Sequence, residues 1–165
     1  MKKRKKKGDE VVVVLHNIRS THNVGSIFRT SDAAGVSKIY LTGYTPTPLD
    51  RFGRVRADIH KTALGAEESL VWEQVKRVGP LLKRLKRQGF FCIAVEQADG
   101  AVDYKKITRP KDHPCVIIFG NEVRGISPSI LKMCDVVAEI PMHGKKESLN
   151  VSVSAGIALF RILNR

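Results

Sequence analysis

The amino-acid sequence predicts an α/β domain whose mainly parallel sheet is flanked by helices. Short, continuous runs of apolar and β-branched residues, such as "VVVVL" and "CVIIFG", are typical of strands buried on both faces. Segments with helical spacing of apolar residues separate these runs, and glycine or proline marks most boundaries. Strands and helices that alternate in this way form parallel sheets. At 165 residues with 42% hydrophobic residues, the chain is long enough for one domain with a full core.

The apolar runs and the turn residues place each element in order. We predict strands at 11–15, 37–43, 90–96, 115–120 and 136–140, and helices at 23–35, 80–89, 127–135 and 149–164. Asn23 is the expected N-cap of the first helix and Gly35 its end, and Pro128 suits the first position of the third helix. Ser148 can cap the last helix, with Asn150 in its first turn.

The balance of charge is strongly basic. The sequence has 29 Lys and Arg against 16 Asp and Glu, which gives a net charge of +13. Residues 2–7 are all basic, and without them the rest still carries 23 basic residues against 16 acidic ones. Such an excess is typical of proteins that bind nucleic acid through its phosphates, and a solubility bias with a solvated tail is the alternative. We predict a basic, disordered tail at 1–10 and a single domain at 11–165.

Neither a metal site nor a membrane segment is predicted. The five histidines lack ligand spacing, and the three cysteines lie apart in apolar runs, as buried free thiols do in a reducing compartment. No apolar stretch approaches the roughly 18 residues of a transmembrane helix, and no signal peptide is recognisable. We therefore expect a cytoplasmic protein.

The loops that follow three of the strands hold the most unusual residues. They begin after Leu15, Phe119 and Ile140, and ligands of parallel sheets bind at these carboxyl ends. The helix after the first loop carries Arg29 among small and apolar residues, where a guanidinium needs an anionic or carbonyl partner. A surface ion pair between Arg29 and Asp32 is the alternative.

The sequence of the second loop, "FGNEVRGIS", matches neither of two common nucleotide-binding motifs. Ile126 stands where a P-loop needs lysine, and there is no G-x-G-x-x-G. What remains is a tight turn in which Gly120 lets the backbone approach a ligand and Glu122 accepts hydrogen bonds or offsets a cation. The third loop, "MHGKKESLN", is longer and more polar than capping by Ser148 requires.

A further stretch, from 43 to 61, is long and irregular in pattern. It carries Arg51, Arg54 and Arg56 at close spacing. Long loops in compact domains are often functional, and a solvated surface loop is the alternative.

Three segments together resemble a known family. In order, "NIRSTHNVGSIFRTSDAAG", "IIFGNEVRGIS" and "IPMHGKKESLNVSVSAGIALF" resemble the three motifs of the SpoU/TrmH-type RNA 2′-O-ribose methyltransferases of the SPOUT class. With the strand "KIYLTG" they frame residues 11–165. The resemblance implies an α/β fold with a C-terminal trefoil knot, in which the loops 120–125 and 140–149 cross. It also implies S-adenosylmethionine as cofactor, RNA (tRNA or rRNA) as substrate, no metal, and a homodimer whose active site the partner chain completes.

The resemblance also assigns residues to three roles. The expected catalytic residues are Asn23, Arg29, Glu122, Ser148 and Asn150. The expected cofactor contacts are Leu41, Thr42, Gly43, Gly120, Asn121, Glu122, Ile140, Met142, Ser148, Leu149 and Asn150. The expected RNA contacts are Arg19, Arg29, Arg51, Arg54 and Arg56. Arg29 is sometimes described as a general base, but a protonated guanidinium that binds phosphate and stabilises a developing alkoxide is physically simpler.

Two alternatives stay open beside this interpretation. A non-catalytic RNA-binding module can keep the same fold, and a SPOUT methyltransferase can act on a base instead of the ribose. The spacing N-x-G-x-x-x-R at Asn23, Gly25 and Arg29 favours the ribose.

Overall fold

The computed structural model describes residues 7–165, in which seven parallel strands form one sheet flanked by helices. The strands are β1 (Val11–His16), β2 (Lys38–Thr42), β3 (Val71–Val75), β4 (Phe91–Val95), β5 (Val102–Asp103), β6 (Cys115–Phe119) and β7 (Val136–Glu139). The helices are α1 (Thr21–Ala33), α2 (Ala57–Ala63), α3 (Ala66–Ser69), α4 (Val78–Arg87), α5 (Pro128–Leu131) and α6 (Val151–Leu163). The predicted α/β class with a mainly parallel sheet is confirmed.

The interior strands explain the continuous apolar runs of the sequence. The strand order is β3-β2-β1-β6-β4-β7-β5, and Val13 of β1 pairs with Ile39 on one side and Ile117 on the other. Val13 belongs to the core cluster that includes residues of α1 and α6, whereas Val12 and Val14 belong to the cluster that includes α4. Because both faces of β1 are buried from Val11 to Leu15, each of these five positions is apolar.

The strand order also decides which loops meet at the carboxyl edge of the sheet. β4 lies between β6 and β7, so the loops after β1, β6, β4 and β7 lie side by side. The end of β2 lies on the other side of β1. This arrangement brings the three predicted loops together and adds a fourth, the loop after β4.

Two helices begin at residues other than those predicted. Ser20, not Asn23, caps α1, and its hydroxyl accepts a hydrogen bond from the Asn23 amide at 3.3 Å. Asn150, not Ser148, caps α6, and its Oδ1 accepts from the Ser152 amide at 2.8 Å. Both predictions placed a cap residue in the right segment and chose the wrong neighbour.

The region predicted to be irregular contains regular structure at its end. α2 begins at Ala57, and α3 and β3 follow, none of which was predicted. Leu64 and Gly65 both adopt left-handed backbone conformations (φ of 52° and 86°) and separate α2 from α3. The strand β3 lies at the edge of the sheet and is partly exposed, so it has no continuous apolar run.

The start of the described chain is folded. Lys7–Asp9 form a 3-10 turn, and Arg109 Nη1 donates a hydrogen bond to the Gly8 carbonyl at 2.9 Å. The predicted tail at 1–10 is therefore too long at its C-terminal end, and its residues 1–6 lie outside the described residues.

The cysteines are free, as predicted. Cys92 and Cys115 are buried and Cys134 is half-buried. Burial raises the pKa of the Cys92 thiol to about 12 and that of the other two to about 11. The thiols are thus protonated and unreactive at neutral pH. Within residues 7–165, none of the helices combines the length and the apolar character needed to cross a membrane.

The last helix returns across the sheet. After β7, the chain runs through residues 140–150 and α6 contacts α1 and β6. The trefoil knot stays a prediction.

Candidate functional site

A cavity of about 300 Å³ lies at the carboxyl ends of β4, β6 and β7. This volume lies at the lower end of the range for small-molecule sites, which is roughly 300–1,000 Å³. We call it the acidic cavity. Its lining residues are Val95, Glu96, Gln97, Phe119, Gly120, Asn121, Glu122, Val123, Gly125, Ile140, Met142, Glu147, Ser148, Leu149, Val151 and Ser154.

The charge of the acidic cavity is opposite to that of the whole protein. Its lining includes the carboxylates of Glu96, Glu122 and Glu147, and no Lys, Arg or His among the described residues. Phe119 and Ile140 supply apolar wall. In a chain with a net charge of +13, this composition favours a ligand that is cationic at one point and apolar elsewhere.

Glu122 joins the second loop to the start of α1. Its carboxylate accepts hydrogen bonds from the backbone amide of Arg19 at 2.9 Å, from that of Ser20 at 3.0 Å and from Asn23 Nδ2 at 3.1 Å. Partial burial raises the pKa of Glu122, but these donors outweigh it and the net pKa lies below its usual value. Glu122 is therefore ionised at neutral pH, and its charge sits at the positive end of the α1 dipole.

Asn23 extends the same network to the third loop. Its Oδ1 accepts a hydrogen bond from Asn150 Nδ2 at 3.1 Å, while its Nδ2 donates to Glu122. Asn150 in turn accepts from the Ser152 hydroxyl at 2.6 Å. The structure thus connects one predicted catalytic residue from each of the three motif segments, although Asn23 and Asn150 lie beside the acidic cavity and not in its lining.

The second loop is held in shape by Gly120 and Asn121. A Cβ at Gly120 would lie 2.4 Å from Ile126 Cγ1 and 2.8 Å from the Gly125 carbonyl carbon, so no other residue fits there. Asn121 is buried, and its Oδ1 accepts from the amides of Val123 and Arg124 at 3.0 and 2.7 Å. Its side chain thus closes the turn that borders the cavity.

Three of the predicted cofactor contacts lie elsewhere. Leu41 and Thr42 are fully buried, and a Cβ at Gly43 (φ 65°) would lie 1.8 Å from Asn17 Oδ1. None of the three lines the acidic cavity, because β2 is separated from β6 by β1. The other predicted cofactor contacts, apart from Asn150, all line it.

The loop after β4 is a part of the site that sequence reasoning missed. Val95, Glu96 and Gln97 line the acidic cavity. Glu96 also accepts a hydrogen bond from the Ile126 amide at 2.8 Å and so ties this loop to the second one. In the sequence, the one indication of this loop was that Glu96 directly follows a buried strand. The sequence does not show that this strand, β4, lies between β6 and β7.

The predicted RNA-binding arginines occupy three different places. Arg29 is exposed on α1, does not line the acidic cavity, and makes no ion pair with the described part of the chain, Asp32 included. The guanidiniums of Arg51 and Arg54 lie 4.7 and 5.0 Å from the ring of Phe52, which is 66% exposed. Arg54 is also paired with Asp50 at 2.8 Å, and the half-buried Arg56 caps α2 without a side-chain cap bond.

Arg19 lines a second depression, of about 630 Å³, which we call the basic cleft. Its lining residues are Arg19, Tyr44, Asn121, Val123 and Arg124. Asn121 and Val123 also line the acidic cavity, so the two sites adjoin. A site that favours a cation therefore lies next to one that favours an anion.

One group of potential metal ligands occurs among residues 7–165. His60, Glu67 and Glu68 bring one ligand atom each within 4.8 Å of one another, and His60 Nδ1 is hydrogen-bonded to Glu67. The group shares no residue with the acidic cavity or the basic cleft. The expectation of no metal in the chain stays a prediction.

Solved structures with the same fold are RNA-modifying enzymes. The AdoMet-bound rRNA methyltransferase of Sinorhizobium meliloti superposes with a TM-score of 0.84 at 28% identity, covering 98% of this chain and 61% of that one. A TrmH/SpoU tRNA modifying enzyme of A. aeolicus superposes with a TM-score of 0.81 at 29% identity, covering 98% of this chain and 76% of the other.

Sequence comparison gives the same grouping. The 23S rRNA (guanosine-2′-O-)-methyltransferase RlmB of Nitrosomonas europaea is 34% identical over 151 residues, which cover 91% of this chain and 54% of that protein. The corresponding protein of Pseudomonas aeruginosa is 30% identical over 96% of this chain and 60% of its own length. This chain thus spans little more than half of these relatives. The model of the SpoU rRNA Methylase family matches residues 10–160, and the chain belongs to that family.

Proposed function

We propose that this chain transfers a methyl group from S-adenosylmethionine to a ribose 2′-hydroxyl of tRNA or rRNA. The observation that carries the proposal is the acidic cavity beside the basic cleft, since this reaction joins a cationic methyl donor to a polyanionic acceptor. The names of the relatives support it, because they include guanosine-2′-O-methyltransferases and an AdoMet-bound rRNA methyltransferase.

The residues that line the acidic cavity suit the chemistry of the methyl donor. Ile140, Met142 and Leu149 offer apolar surface for an adenine ring, and the bare backbone at Gly120 allows close approach. The nearby carboxylates of Glu96 and Glu122 suit the cationic groups of the donor. S-adenosylmethionine, when bound, supplies an already activated methyl group.

The residues of the network position the acceptor side of the reaction. In this proposal Glu122, Asn23 and Asn150 fix the loops on which the ribose rests, and Ser148 lines the junction between cofactor and nucleotide. Arg29 remains protonated, binds the neighbouring phosphate and stabilises the negative charge that develops on the 2′-oxygen while the hydroxyl proton passes to solvent water. Orientation of the two reactants then supplies most of the acceleration.

The exposed position of Arg29 requires a second chain in this proposal. α6 exposes Val153 and Phe160, at 49% and 39%, although both are large apolar residues. We propose that these residues pack against a second copy in a homodimer, and that Arg29 of one copy completes the site of the other. The free thiols favour a reducing compartment, and we place the enzyme in the cytoplasm.

We expect the purified protein to transfer labelled methyl groups from S-adenosylmethionine to tRNA or rRNA lacking its own methylation. Alkaline hydrolysis of the product should leave the label in dinucleotides, because a 2′-O-methyl group blocks cleavage of the following phosphodiester. Label in mononucleotides would instead identify a methyltransferase that acts on a base. Binding of RNA without any transfer would favour the non-catalytic module.

Filling the acidic cavity should weaken cofactor binding while the fold is kept. Ser154 lines the cavity from the second turn of α6, and Ser154→Leu places a larger side chain there. We expect calorimetric titration to show about one S-adenosylmethionine per wild-type chain. For the variant we expect an affinity lower by roughly 10- to 100-fold, because overpacking costs about 1–3 kcal/mol.

The matched control is Ser129→Leu, at an exposed position of α5 outside the cavity. It should bind the cofactor as the wild type does. Equal binding by the Ser154 variant would show that the cofactor does not enter this cavity.

A further inference from the structure

The basic cleft contains groups that the proposed reaction has not yet used. Arg19 and Arg124 are exposed, and neither makes an ion pair with another residue in the described range 7–165. Among the described residues, none that lines the cleft is acidic. Two guanidiniums without a counter-charge favour an anionic ligand, and phosphate oxygens match their planar donors.

Both arginines are carried by fixed backbone. The amide of Arg19 donates to the Glu122 carboxylate at 2.9 Å, and the amide of Arg124 donates to Asn121 Oδ1 at 2.7 Å. The same contacts build the wall of the acidic cavity. The positions of the two arginines are therefore coupled to that of the cofactor site.

Tyr44 supplies an aromatic surface between these charges. The residue is 58% exposed, yet its hydroxyl accepts a hydrogen bond from Asn121 Nδ2 at 3.0 Å and its amide donates to Asn17 Oδ1 at 3.3 Å. One bond holds the backbone of Tyr44, and the other holds the hydroxyl at the tip of its ring. A largely exposed ring in a fixed orientation is suited to stack on a nucleobase, which binds with little dependence on base identity.

We propose that Tyr44 stacks on the base of the nucleotide whose ribose is methylated, while Arg19 and Arg124 bind its flanking phosphates. The inference rests on the proposed function and adds a substrate class to it. A base that stacks on a protein ring has left its helix, so the target nucleotide is unpaired, in a loop, a bulge or a single strand.

A fluorescence assay tests the proposal without methyl transfer. An unstructured oligoribonucleotide with a single 2-aminopurine reports stacking by loss of its fluorescence. With S-adenosylhomocysteine present, the wild type should bind it and quench it. Tyr44→Phe keeps the ring but loses the hydroxyl bond to Asn121, so it should keep most of the quench, whereas Tyr44→Leu should lose the quench and bind roughly 5- to 100-fold more weakly. The same oligonucleotide in a duplex should bind the wild type more weakly than the single strand.

Calorimetric titration with S-adenosylmethionine serves as the folding control, and all three proteins should give the same affinity. Quenching by Tyr44→Leu equal to that of the wild type, or preferred binding of the duplex, would overturn the inference. Failure of the proposed function has a different signature, since it would abolish methyl transfer in the wild type and leave the ring-dependent quench in place.

Discussion

Replacement of Arg29 by alanine should abolish methyl transfer while affinity for S-adenosylmethionine stays nearly unchanged. Arg29 does not line the acidic cavity, so its loss removes no cofactor contact. Removal of a single group that stabilises charge in a transition state lowers rates by roughly 100- to 1,000-fold. Single-turnover rates measure the first effect and calorimetry the second. Loss of cofactor binding would contradict the assigned role.

The same variant tests whether the active site is shared between chains. A mixed dimer of an Arg29→Ala chain and a Ser154→Leu chain has one doubly damaged site and one intact site if Arg29 crosses the interface. Such dimers, isolated through different affinity tags, should recover roughly half of the wild-type activity. If each site uses its own Arg29, both sites are damaged and the mixture stays inactive.

Gly25→Ala should cause a large loss of stability, although it adds only one methyl group. Gly25 lies in α1 where it packs on α2, and a Cβ there would lie 1.9 Å from Thr62 Oγ1 and 2.5 Å from the Ile59 carbonyl oxygen. The second atom is backbone and cannot rotate away. We expect the free energy of unfolding to fall by about 1–3 kcal/mol or more, as measured by urea denaturation at fixed protein concentration.

Gly79→Ala is the matched control, because Gly79 also lies in a helix, α4, but has no atom within 4 Å of an added Cβ. It should change the free energy of unfolding by no more than about 0.5–1 kcal/mol, because the better helix propensity of alanine is opposed by the steric restriction that Pro80 places on the residue before it. Equal stability of the Gly25 variant and the wild type would show that α1 and α2 are not in tight contact.

Periodicity predicted the parts of the fold in which burial alone decides the structure. β6 and the first five positions of β1 are apolar because both faces of each strand are buried, and a continuous apolar run can be recognised in the sequence. β3 was not predicted, because this edge strand (Val71–Val75) is only partly buried and has neither a continuous apolar run nor a clear alternation of apolar and polar residues. The candidate site residues could be predicted for a different reason, because the three motif segments resemble those of a known family.

Assembly of the site depended on tertiary order that local patterns do not contain. Nothing in the chain around Glu96 reveals that β4 lies between β6 and β7. The caps show the same limit. Ser148 and Asn150 are both residue types that cap helices well. Asn150 is the cap in the structure, and its Nδ2 also donates a hydrogen bond to Asn23 Oδ1, which lies 127 residues away in the sequence.

The site assembles during synthesis only after elements far along the chain from β1 have been made. Val13 meets its neighbour in β2 after a short interval, but its partner in β6 is Ile117, and the bond from Asn150 to Asn23 spans 127 residues. While the ribosome makes the intervening chain, the backbone N–H and C=O groups along one edge of β1 have no partner strand. Such an unpaired edge can pair with other chains and is prone to aggregation. The acidic cavity therefore cannot form until α6, which supplies Val151 and Ser154 to its lining, has been released and docked on α1.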